Sequence, residues 1–546
     1  MSPRSNSRRV SVVTGGGGGI GSACAHRLAG RGDLVVVMDP GVGVEGEALG
    51  EATAAETAAA IRARGGHAVH STASVADREE VERLFEDVRR EHGSLDVVVN
   101  TAGILRFPPL EDTAPDDWAA VLDVHFNGYL NVLAAALPDM VESGTGRIVG
   151  FTSGVGLART SAGAIAYGCA KRAVACLTWA LGRTLPPGVG VNALSPIAAT
   201  RMVRGSLVAA GVGPAGLDLS AMPPAEAMAP AVDWLTSERS SWLNGQVVFS
   251  AGSEISLIEP ARLIEAVRSE DVADFQSTLD AVVPVVLGPA QESQRTTGGS
   301  NPRLHDVFSS TARPAPPAGR TAARYVVAAD DERVTEALAA ALRAWGARAE
   351  RLPATGDGWP ATEAALRSAA SVGPIDGIIV VAGEPIPAGR AGPDAWQEIL
   401  RSHEEVPGVV LAHAAWLRAA ARTARDGQRT LRVIHVVPAP TDGGATAAQA
   451  VHQMSRSAND GANQWIRAFG VAWEAPEHSG LGALSQLVAR LACSSDTLPL
   501  AGAEMVAADG WVGLRSHPAP AVTVTFGGPE IPPGVEGAIG RARSAG

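Results

Sequence analysis

The stretch TGGGGGIG, residues 14–21, decides how the N-terminal half of the chain is interpreted. It follows the apolar run RVSVV (9–13), a predicted buried strand, and leads into a predicted helix over 20–30. Glycine permits a tight turn and close backbone approach, and a pyrophosphate then sits at the positive helix N-terminus. In this context the stretch predicts a dinucleotide-binding loop. The expected contact positions are Thr14, Gly15, Gly19, Ile20 and Gly21, whereas Gly16 to Gly18 are extra glycines with no assigned role.

Strands of continuous Val, Ile and Leu alternate with helical segments through both halves of the chain. This pattern predicts an α/β protein with parallel sheets covered on both faces, and right-handed crossovers make each sheet doubly wound and Rossmann-like. A Pro-, Gly-, Ser- and Thr-rich stretch between the halves is typical of a linker. The expected divisions are a catalytic domain (1–286), a linker (287–322), a second Rossmann-like domain (323–515) and a C-terminal tail (516–546).

The two halves contain matching segments in the same order. The pairs are LDVVVNTAG (95–103) with IDGIIVVAG (375–383), PDDWAAVLDVH (115–125) with PDAWQEILRSH (393–403), and RIVGFTS (147–153) with RVIHVVP (432–438). The offset between the members of each pair changes little, which favours two copies of one fold over coincidence. We therefore expect a tandem repeat whose copies pack as a pseudo-dimer.

Composition argues against several classes of partner. The net charge of −12 disfavours binding to nucleic acid or an anionic membrane, and no run of about 18 apolar residues predicts a membrane span. The four cysteines form no CxxC pair and indicate buried apolar side chains in a reducing cytoplasm, with no metal site. We expect a cytoplasmic protein.

Asp39 ends the second predicted strand, 18 residues after Gly21. A carboxylate at this position can accept hydrogen bonds from both ribose hydroxyls of an adenosine, and it would repel a 2′-phosphate. The residue therefore predicts NAD rather than NADP as cofactor. The alternative is a solvated aspartate at a strand end.

Tyr167 and Lys171 lie four residues apart on a predicted helix and so share one face. A tyrosine normally ionises near pH ~10, and a nearby ammonium should lower that pKa. The pair is therefore a candidate general acid and base, and Ser153, fourteen residues earlier, can bond a substrate oxygen. Downstream of a dinucleotide loop, this arrangement indicates catalysis rather than a surface pair.

Together, the glycine loop, NTAG (100–103), Ser153 and YGCAK (167–171) resemble the short-chain dehydrogenase/reductase family over about residues 8–260. The resemblance implies that Ser153 orients a carbonyl, that Tyr167 transfers its proton, and that Lys171 binds the nicotinamide ribose. It also implies further cofactor contacts at Ser74, Asn100, Ala102, Gly103, Pro196 and Thr200.

The chain departs from the family pattern at three places. His125 stands where an Asn completes a proton relay, Ser74 replaces a common Asp, and Pro196-Ile197 replaces Pro-Gly. His125 and PIAATRM (196–202) resemble the (3R)-hydroxyacyl-CoA dehydrogenases of multifunctional β-oxidation enzymes. His125 is either a water-holding relay residue or a buried structural histidine.

The second copy lacks the catalytic residues. At the repeat offset Ser153 corresponds to Pro438, Tyr167 to His452 and Lys171 to Arg456. An acidic pair, Asp330 and Asp331, stands in place of a glycine loop, and His403 aligns with His125. We expect a copy that binds no dinucleotide and serves packing, so that two chains form a homodimer resembling a tetramer.

The leading hypothesis is an NAD-dependent oxidoreductase that interconverts a secondary alcohol and a ketone. The expected substrate is a free or acyl-carrier-linked small molecule, such as a 3-hydroxyacyl thioester or a polyketide-like compound. The region over 203–230 offers few polar groups, which suits a bulky or apolar ligand. Two alternatives stay open: a non-redox dehydratase, cyclase or isomerase on the same fold, and a protein that senses a dinucleotide without turnover.

Overall fold

The computed structural model describes most of the chain. The described residues are 8–49, 52–161, 163–209, 219–220, 222–268, 272–294, 323–354, 358–383, 386, 394–460, 464–474 and 480–545. They form two α/β units, each built on one sheet. The first unit comprises the first sheet with its helices, and the second unit comprises the second sheet with its helices.

The first sheet contains nine strands, made mainly of consecutive Val, Ile and Leu residues buried on both faces. They are β1 Val10–Thr14, β2 Leu34–Met38, β3 His67–Ser71, β4 Val97–Asn100, β5 Gly146–Phe151, β6 Val189–Pro196, β7 Val247–Ser250, β8 Glu254–Glu259 and β17 Ala519–Thr525. Their order is β17-β8-β7-β6-β5-β4-β1-β2-β3. The seven strands β1 to β7 are parallel, whereas β8 and β17 are antiparallel to their neighbours.

Helices cover both faces of this sheet. They are α1 Gly19–Gly30, α2 Thr53–Ala63, α3 Arg78–His92, α4 Pro115–Leu122, α5 Gly128–Ser143, α6 Gly154–Leu157, α7 Ile165–Leu181, α8 Arg201–Ala209 and α9 Ala229–Leu235. A π-helical turn, Asp123–Asn127, joins α4 to α5, and 3₁₀ turns occur at Leu110–Asp112, Ala225–Met228 and Glu238–Ser240. The order reverses beside β1, so the ends of β1 and β4 open a crevice for a ligand.

The second sheet contains eight strands. They are β9 Leu263–Arg268, β10 Arg324–Ala329, β11 Arg348–Leu352, β12 Gly377–Val381, β13 Leu431–Pro438, β14 Ile466–Trp473, β15 Glu504–Ala508 and β16 Trp511–Arg515, in the order β11-β10-β12-β13-β14-β15-β16-β9. Its helices are α10 Val272–Val282, α11 Gly288–Ser293, α12 Glu332–Ala344, α13 Trp359–Val372, α14 Ala395–Glu404, α15 Val406–Asp426, α16 Asp442–Ala458 and α17 Leu481–Cys493, with a π turn at Val283–Leu287 and a 3₁₀ segment at Ser495–Leu500. The order repeats that of the first sheet, with one strand fewer beyond β10 among the described residues. The predicted tandem α/β fold is confirmed.

Each unit gives one edge strand to the other. β9 follows β8 in the chain but pairs antiparallel with β16 of the second sheet, and β17 follows β16 but pairs antiparallel with β8 of the first. The last helix, α18 Val535–Ala545, packs on the first unit, where Val535 and Ile539 join its core. The segments β7–β8–β9 and β15–β16–β17 are therefore equivalent: in each, the first two strands belong to one sheet and the third crosses to the edge of the other.

The expected domain boundaries therefore need correction. Residues 263–287, expected in the first domain, contribute a strand, a helix and core residues to the second unit. Residues 288–293 of the expected linker are helical, and 295–322 lie outside the described residues. The expected tail at 516–546 supplies β17 and α18 to the first unit. Composition signals a break in the chain, but only long-range pairing determines which sheet receives an edge strand.

The two units meet through equivalent helices. α7, the helix that carries Tyr167 and Lys171, packs lengthwise against α16, and α5 and α4 contact α14 and α15. A single apolar core runs through this contact from one unit into the other. The units are thus arranged as a pseudo-dimer.

A buried charge cluster lies in this interface. Glu504 of β15 is fully buried, and both of its carboxylate oxygens lie 2.8 Å from Nη2 of Arg172 on α7. Arg456 of α16 donates to the same carboxylate at 2.5 Å, and Arg172 Nε donates to Gln449 at 3.0 Å. Burial raises the pKa of Glu504, but the charge of Arg172, a hydrogen bond from His517 and the charge of Arg456 outweigh it and hold that pKa well below its usual range.

Three fully buried histidines form a second polar group, here called the histidine trio, inside the second unit. They are His413, His435 and His452. Nδ1 of the first lies 3.0 Å from Nδ1 of the second, and both ring nitrogens of the third lack hydrogen-bond partners among the described residues. Gly470 makes room for the third ring, because a Cβ there would overlap it. Burial lowers the pKa of all three, to about 4 for His413 and about 3 for His452.

One continuous helical stretch, Pro115–Ser143, is long and apolar enough to cross a membrane by length and composition, with a mean hydropathy of 1.2. Most of this window, 61%, is buried inside the fold, where its side chains form part of the core. The described residues contain no group of three or more metal-ligating side chains arranged to hold an ion.

Candidate active site

The glycine loop lies between β1 and α1, as its sequence context predicts. Gly15 and Gly19 adopt φ values of +64° and +52°, a left-handed conformation that favours glycine. A Cβ on Gly21 would overlap the carbonyl oxygen of Gly15, so this position permits the close packing of helix and loop. No side chain caps the N-terminus of α1, where the flanking residue is Gly18. Its first amide groups are therefore available to an anion.

The extra glycines also have structural reasons. A Cβ on Gly16 would lie 2.8 Å from Val37 Cγ1, and one on Gly17 would lie 2.8 Å from the carboxyl carbon of Asp39. One on Gly18 would lie 2.8 Å from the guanidinium of Arg201. All three distances are shorter than van der Waals contact allows. The glycine run therefore fits under three neighbours, which its sequence did not indicate.

Asp39 is held in place by the glycine loop and its surroundings. One carboxylate oxygen accepts the amide of Gly17 at 2.9 Å. The other accepts the amide of Gly41 at 2.8 Å and the hydroxyl of Thr53 at 3.2 Å. Three donors hold this carboxylate in one orientation at the end of β2. It is therefore an anchored group rather than a solvated strand-end side chain.

Thr14 joins the ends of the two central strands. Its hydroxyl donates to Oδ1 of Asn100 at 2.7 Å and accepts the amide of Ala102 at 3.3 Å. Thr101 donates to the carbonyl of Thr14 at 2.5 Å. These bonds fix the floor of the crevice, where Asn100 acts as a support.

One cavity of about 510 Å³ collects most of the predicted site residues. Those that line it are Gly15, Gly19, Ile20, Gly21, Asp39, Ser74, Ala102, Gly103, His125, Tyr167, Lys171, Pro196 and Thr200. Of the remaining predicted residues, Thr14 and Asn100 lie behind its wall, and Ser153 bonds to Tyr167. Residues up to about 190 positions apart in the sequence thus meet at a single site.

Tyr167 and Lys171 lie side by side on α7. The Lys171 ammonium is 5.7 Å from the centre of the tyrosine ring and donates to the carbonyl of Phe151 at 2.6 Å. Burial lowers the pKa of Lys171 to about 7. Burial likewise raises the pKa of Tyr167, opposed by a hydrogen bond from Ser153 and the charge of Arg159. The net effect is a raised pKa, because desolvation of the phenolate outweighs the groups that favour its ionised form; the expected lowering by Lys171 stays a prediction.

His125 occupies the π-helical turn before α5 and is 2% exposed. Its ring meets that of Tyr167 edge to face with 5.0 Å between centres, and Gly103 leaves space for it. Nε2 lies 2.7 Å from the carbonyl oxygen of Ile104 and 3.1 Å from the backbone nitrogen of the same residue, so both backbone groups of Ile104 face this ring nitrogen. Nδ1 has no hydrogen-bond partner among the described residues.

The His125 imidazole is neutral. Burial lowers its pKa well below the ordinary value, and the charge of Lys171 adds to that effect. In the tautomer that carries its proton on Nε2, Nδ1 is a hydrogen-bond acceptor beside the cavity. Asn127, two residues later, bonds to Asp123 at 2.8 Å instead and takes no part in the site.

Two arginines near the site were missed from the sequence. Arg201 follows Thr200 directly and lines the cavity over Gly18. Arg159 lies six residues after Ser153, and its charge acts on Tyr167. The only signal in the sequence was that Arg201 directly follows Thr200, a predicted cofactor contact. Neither arginine belongs to a recognised sequence motif.

The equivalent position in the second unit is closed to phosphate. Asp331 caps α12 by accepting the amides of Arg333 at 2.7 Å and Val334 at 3.3 Å. A carboxylate thus occupies the helix N-terminus, where the first unit offers free amides. His403 is buried and bonded on both nitrogens, to Ile399 and Thr446, so its role is structural.

The nine-stranded sheet and the tyrosine–lysine site define a dehydrogenase or reductase with a dinucleotide crevice. The short chain dehydrogenase family model matches residues 9–207. A Mycobacterium tuberculosis protein, named as a short-chain type dehydrogenase/reductase, is 41% identical over 197 residues, which are 36% of this chain and 68% of that protein. The chain therefore belongs to the short-chain dehydrogenase/reductase family, whose cofactor is a nicotinamide dinucleotide.

Two further relatives refine this placement. The acetoacetyl-CoA reductase of Allochromatium vinosum is 30% identical over 247 residues, 43% of this chain and 94% of that protein. The mouse peroxisomal multifunctional enzyme type 2 is 33% identical over 319 residues, 55% of this chain. The match spans only 40% of the mouse protein. The predicted relationship to the multifunctional enzymes is thereby confirmed.

Proposed function

We propose that this protein is an NAD-dependent oxidoreductase that interconverts a secondary alcohol and a ketone. The preferred substrate class is a 3-hydroxyacyl or 3-oxoacyl thioester or a similarly bulky compound. The observation that carries the proposal is the convergence of Tyr167, Lys171 and His125 with the glycine loop on one cavity. The name of one relative, an acetoacetyl-CoA reductase, supports a thioester substrate.

The residues present fit a nicotinamide dinucleotide. The loop has glycines where a Cβ would overlap neighbouring residues, and α1 offers uncapped amides that can bind a diphosphate. Asp39 lines the same cavity, with its carboxylate fixed by Gly17, Gly41 and Thr53. Its oxygens can accept ribose hydroxyls, whereas a 2′-phosphate would meet a fixed negative charge. This supports NAD over NADP.

A bound nicotinamide cofactor supplies or accepts the hydride. Tyr167 holds the proton at its hydroxyl because burial raises its pKa, so it can donate to a carbonyl oxygen during reduction. Ser153, which bonds to Tyr167, can donate to the same oxygen and orient it. In oxidation the tyrosine accepts the alcohol proton, and the charge of Arg159 favours that ionised form.

Lys171 and His125 complete the proton path. Lys171 spends one N–H on Phe151, which leaves two donors for a ribose hydroxyl or a water. A pKa of about 7 allows the amine to give up and regain a proton near neutrality. The free Nδ1 of neutral His125 can accept from a water between these groups, which extends the path towards solvent.

The proposal is tested by NADH-dependent reduction of acetoacetyl-CoA and longer 3-oxoacyl-CoA esters, followed at the NADH absorbance. Tyr167→Phe should lower kcat by about 10²-fold or more while leaving NADH binding intact. Tyr325→Phe is the matched control, because this buried tyrosine lies in the second unit. Unchanged activity in Tyr167→Phe would show that the mechanism is wrong.

The same assay separates the two alternatives. Product formation without a change in NADH absorbance would identify a dehydratase, cyclase or isomerase. Calorimetric NAD binding without turnover of any substrate would identify a sensor. We also propose a homodimer in solution, which light scattering would report as twice the chain mass of 55.7 kDa.

A further inference from the structure

A short turn after Ser153 connects the catalytic serine to Arg159. It contains α6 and packs against α7, where Gly156 and Gly168 lack the side chains that would keep the two segments apart. The backbone carbonyls of Val155, Leu157 and Arg159 accept hydrogen bonds from side chains.

Most of these donors come from the second unit. The amide of Gln453 on α16 donates to the carbonyl of Val155 at 2.6 Å and to that of Arg159 at 2.8 Å. Arg456, one turn further along, donates to the carbonyl of Leu157 at 3.1 Å and to the Gln453 amide oxygen at 3.0 Å. Both side chains are at least 97% buried. Hydrogen bonds of this kind fix a segment, because a buried unpaired carbonyl is costly.

The two ends of the turn act on the catalytic tyrosine. Ser153 bonds to Tyr167, and the guanidinium of Arg159 interacts electrostatically with it. Arg159 also faces Asp460 of the second unit. The remaining polar groups beside the tyrosine are His125, at 5.0 Å between rings, and the Lys171 ammonium.

We propose that the second unit is a working part of the active site. Gln453 and Arg456 are positioning residues that hold the turn from Ser153 to Arg159 and thereby place both end residues against Tyr167. Arg456 stands at the repeat position of the catalytic lysine, so the copy that lost its own chemistry supports that of the other. This rests on the proposed role of Tyr167 as the proton-transfer group.

The test uses the full chain labelled with 3-fluorotyrosine, whose phenol ionises at lower pH than that of tyrosine. The sequence has only three tyrosines, so ¹⁹F NMR gives three resonances, and loss of one in Tyr167→Phe assigns the site. Gln453→Met keeps length and removes the donor. Because the serine bond and the arginine charge both favour the phenolate, this variant should raise the Tyr167 pKa by about half a unit or more. It should also lower kcat about ten-fold with an unchanged Kd for NADH.

Gln449→Met is the matched control, since Gln449 lies one turn away on α16 and bonds to Arg172 rather than to the turn. The Tyr167 resonance of this variant should titrate with the same pKa as in the labelled chain without a substitution. Gln453→Asn, which retains an amide too short to reach both carbonyls, provides a milder second variant if Gln453→Met fails to fold. An unshifted Tyr167 titration in a folded Gln453 variant would overturn the inference. Loss of activity in Tyr167→Phe alongside that result would leave the proposed function standing.

Discussion

The buried charge cluster at the interface makes a strong prediction for Glu504→Gln. Glu504 is fully buried, and its charged neighbours in the cluster, Arg172 and Arg456, are at most 3% exposed. His517 also lies against the carboxylate, but burial lowers its pKa to about 4, so it is neutral at pH 7. The substitution preserves shape but leaves two guanidinium groups without an anion. Removal of one partner from a buried ion pair costs about 3–5 kcal/mol. Because the new amide oxygen still accepts one hydrogen bond, we expect a loss near the lower limit, about 3 kcal/mol.

The assay is equilibrium unfolding in urea at pH 7, followed by far-UV circular dichroism and by the fluorescence of the eleven tryptophans. Glu404→Gln is the matched control, because it also joins the units, through Arg78 at 3.2 Å, but both side chains are about half exposed. Exposed pairs of this kind contribute about 1 kcal/mol or less. If Glu504→Gln costs no more than Glu404→Gln, the buried cluster does not stabilise the interface and our reasoning is refuted.

Three other measurements test the site and the core. Gly17→Ala should weaken NADH binding about ten-fold by fluorescence titration, since its Cβ would push against Asp39, whereas Gly30→Ala, with open space around it, should bind normally. Asp39→Ser should shift the ratio of NADPH to NADH affinity upwards about ten-fold; an unchanged ratio would contradict the role of the carboxylate. The histidine trio has folded pKa values below the ordinary 6.5, so unfolding free energy should be highest above that pH and fall towards about pH 4, by about 1.4 kcal/mol per pH unit for each histidine. Urea unfolding at pH 7.5, 6 and 5 measures this slope, and His413→Gln should reduce it.

Local patterns predicted much of the fold and the site. β1, the glycine loop and α1 follow one another as expected, because buried parallel strands read as apolar runs and glycines mark the turn between them. The proximity of Tyr167 and Lys171 on α7 also follows from spacing alone, since residues four apart share a helix face. The closed N-terminus of α12 was predictable from the acidic pair at 330–331, of which Asp331 supplies the cap.

Features set by distant partners escaped prediction. The pKa of Tyr167 depends on how completely its surroundings exclude water, which no local motif records. The tight fit of Gly16 to Gly18 depends on neighbours in β2, in α2, in α8 and at Asp39. The exchange of β9 and β17 depends on which sheet edge each strand reaches, which is set by pairing with residues far away in the sequence.

The strand exchange also constrains how the chain can fold while it is being synthesised. β17 pairs with β8 across a sequence separation of about 260 residues, and β16 pairs with β9 across nearly as many. During synthesis the first sheet must wait, with β8 unpaired at its edge, until almost the whole second unit has emerged. Such long-range pairing slows folding and leaves an exposed edge open to other chains. The two halves therefore have to be encoded by one gene, because either half expressed alone would form a sheet that lacks one of its edge strands.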